Sequence, residues 1–473
     1  MLEKTTLFLI INMLSGISYS LVSPLFPILG KKENLSEGVL GWAIGLFSVA
    51  GCIFTTIVPI LGKKYSRIKL LSYANLFSGI VTIIYGLLIY ISNKNSLIMI
   101  IYFLRIFHGC CSSIISTLVY SLTITFSKKG KTQSSLGKLE VAWAVGVSSG
   151  PLFASVFYKI GGYTLPFLIT GILTFFPLIS SFRIKDKKNK KNQDEEMEDN
   201  NYNYLKYLFY PEIYSILIGV IVGMISVTFF MPCLTLHLIK NYSVSVSIAS
   251  LFFITPIIPY MIILQYLDRI SAKLGIYPTF AFGLILSGIS SLFIYPVPPL
   301  PRSFISIIIG FLLMGVGSVP VFIPGLVMLS KNIKKIDDSI DEMSANDIAS
   351  AINNLCLDLG NFVGPILGGY LADNFGFQLC CFIITTIVIA YSAIFILFFF
   401  SKIKNDLSLF CLNEKSENNE EDIEEENNND YFKRLKSNIL MNKYTVQLIR
   451  LSYNKYKKNN NKERNSLCSS LTK

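Results

Sequence analysis

Three ionisable side chains stand where the chain is otherwise apolar, and their types define the chemistry open to it. Asp358 lies about twelve residues into the apolar stretch 346–372, ~18 Å along a helix, and is flanked by Asn353, Asn354 and Asn361. A carboxyl group at that depth can neutralise an ammonium substrate or take up a proton in exchange. The competing reading is a structural carboxylate hydrogen-bonded to neighbouring helices. Glu140 sits about one turn inside the apolar stretch 136–159, where it either binds or gates a cation or pairs with a loop lysine. Arg105 shares a helix face with His108 and Gly109. A buried guanidinium needs a partner, and Asp358 or Glu140 would serve, their protonation then answering to the arginine. Tyr19, Tyr120, Trp143 and Tyr260 offer faces to a cation, although packing explains aromatic residues equally well. No nucleophile elbow, phosphate loop or metal-ligand cluster occurs in the sequence, so neither an enzyme nor a metal or cofactor site is expected. The chemistry is binding and movement.

The elements that must position these groups are membrane helices. Of 473 residues 52% are hydrophobic and only 15% charged, with a mean hydropathy of +0.53; a soluble chain carries about a quarter charged residues. Twelve stretches are long enough to span a bilayer, at roughly 5–29, 38–61, 70–91, 97–126, 136–159, 163–183, 212–238, 244–267, 274–296, 303–330, 346–372 and 378–400. They are too long and continuous for barrel strands. Lys and Arg concentrate in the loops after the even-numbered spans, which places both termini in the cytosol. The net charge of +12 follows from that asymmetry and from the tail, so nucleic acid is not an expected partner. The sequons Asn34-Leu-Ser36 and Asn241-Tyr-Ser243 fall in loops on the opposite side. Nine cysteines without metal-ligand spacing read as small buried hydrophobes.

A glycine–proline signature occurs twice, as Gly146-Val-Ser-Ser-Gly150-Pro151 and as Gly360-Asn-Phe-Val-Gly364-Pro365-Ile-Leu-Gly368-Gly369. Glycines four apart let helices approach closely, and proline bends the helix that carries it. Pro151 and Pro365 differ in number by 214, Pro24 and Pro232 by 208, and Ser66-Arg67 and Asp268-Arg269 by 202. Three comparable offsets in the same order indicate an internal duplication. The expected organisation is a six-helix bundle over 1–184, a charged cytosolic linker over 185–211, a second bundle over 212–401 and a disordered cytosolic tail over 402–473. Docking of a basic amphipathic segment of that tail on a membrane surface is an alternative to disorder. The fold class is therefore all-α membrane protein, twelve transmembrane helices in two pseudo-symmetric six-helix bundles. The glycine–proline helices would hinge, and Arg67, Asp268 and Arg269 would form a cytosolic gate.

Over about 5–400 the chain resembles the major facilitator superfamily. Gly62-Lys-Lys-Tyr-Ser-Arg67-Ile-Lys69 is similar to its cytosolic loop signature, with Ser66 where an aspartate is usual, and Arg105-Ile-Phe-His-Gly109 is similar to its fourth-span signature, linked to proton coupling. The glycine–proline helix is typical of its antiporters; Ala154-Ser155 replace the final glycines of the first copy. Within the superfamily, Ser23-Pro-Leu-Phe-Pro27, Gly137-Lys-Leu-Glu-Val141, Gly161-Gly-Tyr-Thr-Leu-Pro-Phe167 and Gly364-Pro-Ile-Leu-Gly-Gly-Tyr370 resemble the vesicular amine transporter family, closest to its vesicular polyamine branch. Ser15 aligns with a first-span aspartate of monoamine relatives, which argues against a monoamine. Met231 stands where polyamine relatives carry an acid before the seventh-span proline.

The resemblance implies a twelve-helix secondary transporter, a monomeric transport unit that exchanges an organic cation for protons across a vesicular or vacuolar membrane. Asp358 and Glu140 would alternate between proton and substrate, with Asn354, Asn361 and Tyr19 beside them and Arg105 tuning the coupling. A plasma-membrane drug or metabolite exporter, a facilitator of neutral or anionic solutes, and a non-transporting receptor or scaffold remain open alternatives.

Overall fold

The computed structural model describes residues 4–126, 132–181, 204–296, 303–340, 342–406 and 408. Most of the linker and nearly all of the tail expected from the sequence lie outside the described residues. Met1–Asp406 forms one compact unit, and its described residues are helices joined by short turns.

Span one is α1 (Lys4–Ser20) continued by α2 (Val22–Lys32), followed by α3 (Glu37–Lys64), α4 (Arg67–Leu87), α5 (Lys94–Phe126), α6 (Thr132–Gly161) and α7 (Thr164–Ser181). A short helix, α8 (Tyr204–Leu208), precedes the second six. Span seven is α9 (Pro211–Thr228) with α10 (Leu234–Tyr242), and span eight is α11 (Val246–Leu251) with α12 (Ile257–Leu274). Then come α13 (Ile276–Ile294), α14 (Phe304–Ile336) and α15 (Glu342–Phe398), which is broken at Gly376 into spans eleven and twelve. Among the described residues nine stretches are long and apolar enough by themselves to cross a membrane. The count reaches twelve because α15 supplies two spans, α7 is short and span eight is divided.

Local sequence accounts for the boundaries. Serine hydroxyls cap four spans, Ser36 accepting from Val39 N at 3.3 Å, Ser66 from Lys69 N at 3.5 Å, Ser245 from Ile248 N at 3.3 Å and Ser303 from Ser306 N at 3.1 Å. Ser66 thus does as a cap what an aspartate would do there. The turns after spans five and eleven place Gly162 at φ 66° and Gly376 at φ 79°, a region that side-chain-bearing residues avoid. These two glycines differ in number by 214, as the two prolines do. The duplication therefore extends to backbone conformation.

Each half holds two apolar cores. In the first half one gathers Leu25, Leu40, Tyr85 and Phe167, and the other Leu7, Ile68, Leu118 and Leu139. In the second half the corresponding cores centre on Phe230 and Phe311 and on Phe280 and Phe395. Between the first pair runs a belt of buried polar residues, Asn12, Ser15, Ser18, Arg105, His108 and Ser112. That belt sits at the level where the sequence puts the chemistry.

Candidate functional site

Close helix packing brings the candidate residues together. A Cβ on Gly16 would stand 2.9 Å from Trp143 O, and one on Gly150 would stand 3.0 Å from Ile17 O, so α6 lies directly on α1. In the second half, a Cβ on Gly360 would stand 3.0 Å from Ile221 O, and one on Gly364 3.3 Å from Ile225 Cα, so α15 lies on α9 in the same manner. The glycines of both signatures are contact surfaces, and α6 and the first arm of α15 stay helical through Pro151 and Pro365.

Asp358 projects from the first arm of α15 toward Cys52 on α3, its side-chain partner across the two halves. Among the described residues no basic side chain forms an ion pair with it; the ion pairs are Lys32–Glu33, Lys206–Asp337, Lys334–Asp338 and Lys402–Glu212, all near helix ends. Tyr19 lies within the fields of both Asp358 and Arg105. Its ring stacks on Trp143 with centroids 6.0 Å apart and meets Phe47 at 5.0 Å. Asn354 is exposed, whereas the Oδ1 atoms of Asn353 and Asn361 are buried with no partner among the described residues. Glu140 is exposed, interacts with Tyr120, and its charge reaches Tyr260 on α12 of the other half. Of the four aromatic residues singled out in the sequence, Tyr19 thus lies in the field of Asp358 with Trp143 stacked on it, and Tyr120 and Tyr260 lie in that of Glu140.

Arg105 corrects an expectation. It is 1% exposed, and its partners are main-chain carbonyls: Nε donates to Ala43 O at 2.7 Å and Nη2 to Ile44 O at 3.0 Å, with the guanidinium 4.7 Å from the Phe47 ring centroid. Neither Asp358 nor Glu140 pairs with it. The guanidinium is planar and forked, so two successive carbonyls of one helix turn hold two of its three nitrogens, while Nη1 is buried with no partner among the described residues. His108 is likewise fully buried, its Nδ1 3.4 Å from Tyr85 Oη and its ring edge-on to Phe47. Ser15, at the position of the monoamine aspartate, faces Ser112 at 3.3 Å.

The three expected gate residues do not meet. Arg67 donates from Nη1 to Ser121 at 3.2 Å within its own half. Asp268 and Arg269 are exposed on α12, which continues to Leu274, so they lie inside span eight rather than in the loop after it. Contacts between the halves gather instead toward the membrane face opposite the N-terminus, here called the distal face. There Ser23 Oγ lies 3.6 Å from Met231 Sδ, Ser247 Oγ donates to Ser155 O at 2.8 Å, and Trp42 meets Phe362 at 5.8 Å. Sequence reasoning also missed Asp373, which accepts hydrogen bonds from Glu37 N and Gly38 N across this interface, both at 2.7 Å.

Two duplicated helical bundles that meet at one membrane face, with Asp358 and aromatic rings between them at mid-depth, have the architecture of a membrane transporter. The chain belongs to the Major Facilitator Superfamily, whose family model matches residues 8–340 and 216–421. It is similar to the MFS-type transporter SLC18B1 of Mus musculus, 23% identical over 385 residues covering 76% of this chain and 78% of that protein. The Rattus norvegicus counterpart is 24% identical over 409 residues, 80% and 83% of the two chains. The multi-drug resistance efflux pump PmrA of Streptococcus pneumoniae is 30% identical over 174 residues, 36% of this chain and 41% of that one. Among solved structures, the nucleoside transporter NupG superposes with a TM-score of 0.67 at 12% identity, over 83% of this chain and 99% of that chain. A bacterial homolog of the human lysosomal transporter Spinster, inward-facing and occupied, gives 0.66 at 12% identity over 83% and 95%. These two share the fold.

Proposed function

We propose that this transporter exchanges an organic cation, of amine or polyamine type, for protons by alternating access, with Asp358 as the group that proton and substrate occupy in turn. One observation carries the reading. A carboxyl group at mid-span faces the other half and has no ion-pair partner among the described residues, while the buried guanidinium is held by carbonyls. An uncompensated carboxylate at membrane depth is costly, and binding a proton or a cation removes that cost. Glu140, with Tyr120 and Tyr260, is the second station, nearer the face that carries the N-terminus. Asn354, Asn361 and Tyr19 contribute polar and aromatic contacts to the substrate.

In this reading the units that rock are 1–184 and 212–401, joined by the linker 185–211 and followed by the tail 402–473. The helices with Gly146, Gly150, Pro151, Gly360, Gly364 and Pro365 are the sliding surfaces. Arg67, Asp268 and Arg269 approach one another only when the cytosolic side closes. Both termini are cytosolic, and a vesicular or vacuolar membrane is the favoured location because an acidic lumen drives proton antiport. The limited match to an efflux pump favours export at a plasma membrane as the second reading.

Proteoliposomes with an acidic interior test the chemistry. Labelled spermidine, with a panel of simple amines, should accumulate only while the gradient stands, and Asp358→Asn should abolish accumulation. Uptake of the amines by Asp358→Asn at the wild-type rate would refute the assignment of that carboxylate.

A further inference from the structure

Asp373 ends the first arm of α15, two turns beyond Pro365. Its Oδ1 accepts from Glu37 N and its Oδ2 from Gly38 N, each at 2.7 Å, while Ser36 Oγ takes Val39 N. The first amides of α3 are thus satisfied partly by its own cap and partly by a carboxylate remote in sequence, in the other half. Helix amides without an internal acceptor and the positive end of the helix dipole both favour a negative charge there. The approach depends on glycine: a Cβ on Gly38 would stand 2.9 Å from Asp373 Oδ2, and one on Gly369 2.7 Å from Glu37 C. The pseudo-symmetric contact lacks this device. There Ser245 caps α11 and Ser247 bonds to Ser155 O at 2.8 Å, and the counterpart of Asp373 at the offset of the two prolines is Lys159.

We propose that Asp373 is the latch of the distal gate: its carboxylate clamps α3 to α15 across the two halves, and the distal side opens only when both bonds break. An amide in its place keeps one acceptor oxygen and loses the negative charge that the helix end attracts, so removing that charge favours opening toward the distal side. The groups facing the latch are Glu37 on α3, which touches Cys233, and Lys240 and His237 on α10. On α15 itself Asn374 is turned back to Tyr370 O, and Cys380 bonds to Gly368 O. The latch requires no substrate and stands whether or not the cation reading of Asp358 holds.

Spin labels at Asn95 and Ser243, exposed on the distal side of the two halves, report gate opening by pulsed dipolar spectroscopy of the full-length protein in lipid nanodiscs. Asp373→Asn should raise the long-distance population about tenfold. Asp373→Glu, which restores a carboxylate, should recover the closed state in a chain shown to be folded. Equal closed populations in wild type and Asp373→Asn would overturn the latch.

Discussion

Gly41 and Gly51 lie on the same helix and give the closed distal gate a quantitative test. A Cβ on Gly41 would press into the backbone of α15, 2.9 Å from Pro365 C and 3.1 Å from Ile366 Cα, whereas one on Gly51 would meet nothing within 4 Å. Because the clash is with main chain, no rotamer change relieves it, and α3 and α15 must part. Overpacking of this kind costs about 1–3 kcal/mol. That cost falls on the state in which the helices touch, so Gly41→Ala should raise the distal-open population by roughly 5- to 150-fold. The same substitution at Gly51 carries the same gain in helix propensity, about 1 kcal/mol, and no clash. Cys233 reports the difference: it is fully buried, and its partner Glu37 belongs to the other half. Its rate of modification by a membrane-impermeant maleimide, followed by peptide mass spectrometry at constant pH with Cys233→Ser as the control, should rise at least fivefold in Gly41→Ala and stay within about twofold of wild type in Gly51→Ala. Equal rates in the two variants would refute the argument that the α3–α15 backbone contact holds the distal side shut.

Three further outcomes follow from the structure. Arg105→Lys should lower thermal stability in detergent by about 2 kcal/mol more than Arg105→Met, because an ammonium keeps the buried charge without spanning both carbonyls; a more stable lysine variant would show that charge, not the fork, matters. Gly376→Ala should destabilise by about 1–3 kcal/mol, since φ 79° with ψ 158° is accessible essentially to glycine alone, and an unchanged melting curve would contradict this. The Ser339 hydroxyl and the Lys206 ammonium hold Asp337, at the end of α14, down to about 2. A carboxyl lowered in this way stabilises the docked α8 above its ordinary range and loses that contribution as pH falls from about 4 through about 2. Hydrogen exchange of residues 204–208 should therefore stay flat from pH 8 to 5, once corrected for intrinsic rates, and increase below 4; release near pH 6 would assign the docking to another group.

How far the sequence could be read depended on the range of the interaction. Asp358 was legible because a charge inside 346–372 violates the composition around it, and the glycine–proline helices because spacing of four is a local pattern. The partner of Arg105 was not legible. Main-chain carbonyls leave no trace in residue identity, and the search for a guanidinium partner runs naturally to acids. Asp373 was missed for a different reason: it lies at an exposed helix end, where acids are ordinary, and its role appears only when residue 37 is brought beside it. A signal did exist, in an acid placed one turn after Gly369 and a Ser36-Glu37-Gly38 start that leaves amides unfilled. Span ends were the least certain feature. Asp268-Arg269 read as a loop because charge usually marks one, yet α12 carries them within the helix on an exposed face.

The position of Arg105 joins these observations. Its two acceptors, Ala43 and Ile44, lie between Gly41 and Gly45, two of the glycines of α3 that face α15. The guanidinium therefore fastens to α5 the very turn of α3 that forms the distal contact. Buried among carbonyls and the Phe47 ring, it has no carboxylate to exchange, so its bonds need not change as the halves move. A strut of this kind makes α3 travel with its own bundle, and separation of α3 from α15 then becomes separation of the two halves rather than a local bend. It also leaves Asp358 without a resident counter-charge. A permanent Arg105–Asp358 pair would occupy the carboxylate in every state and tie the halves together at mid-depth. Holding the arginine on backbone ties α3 to α5 within one half and leaves the other half's acid with no ion-pair partner among the described residues.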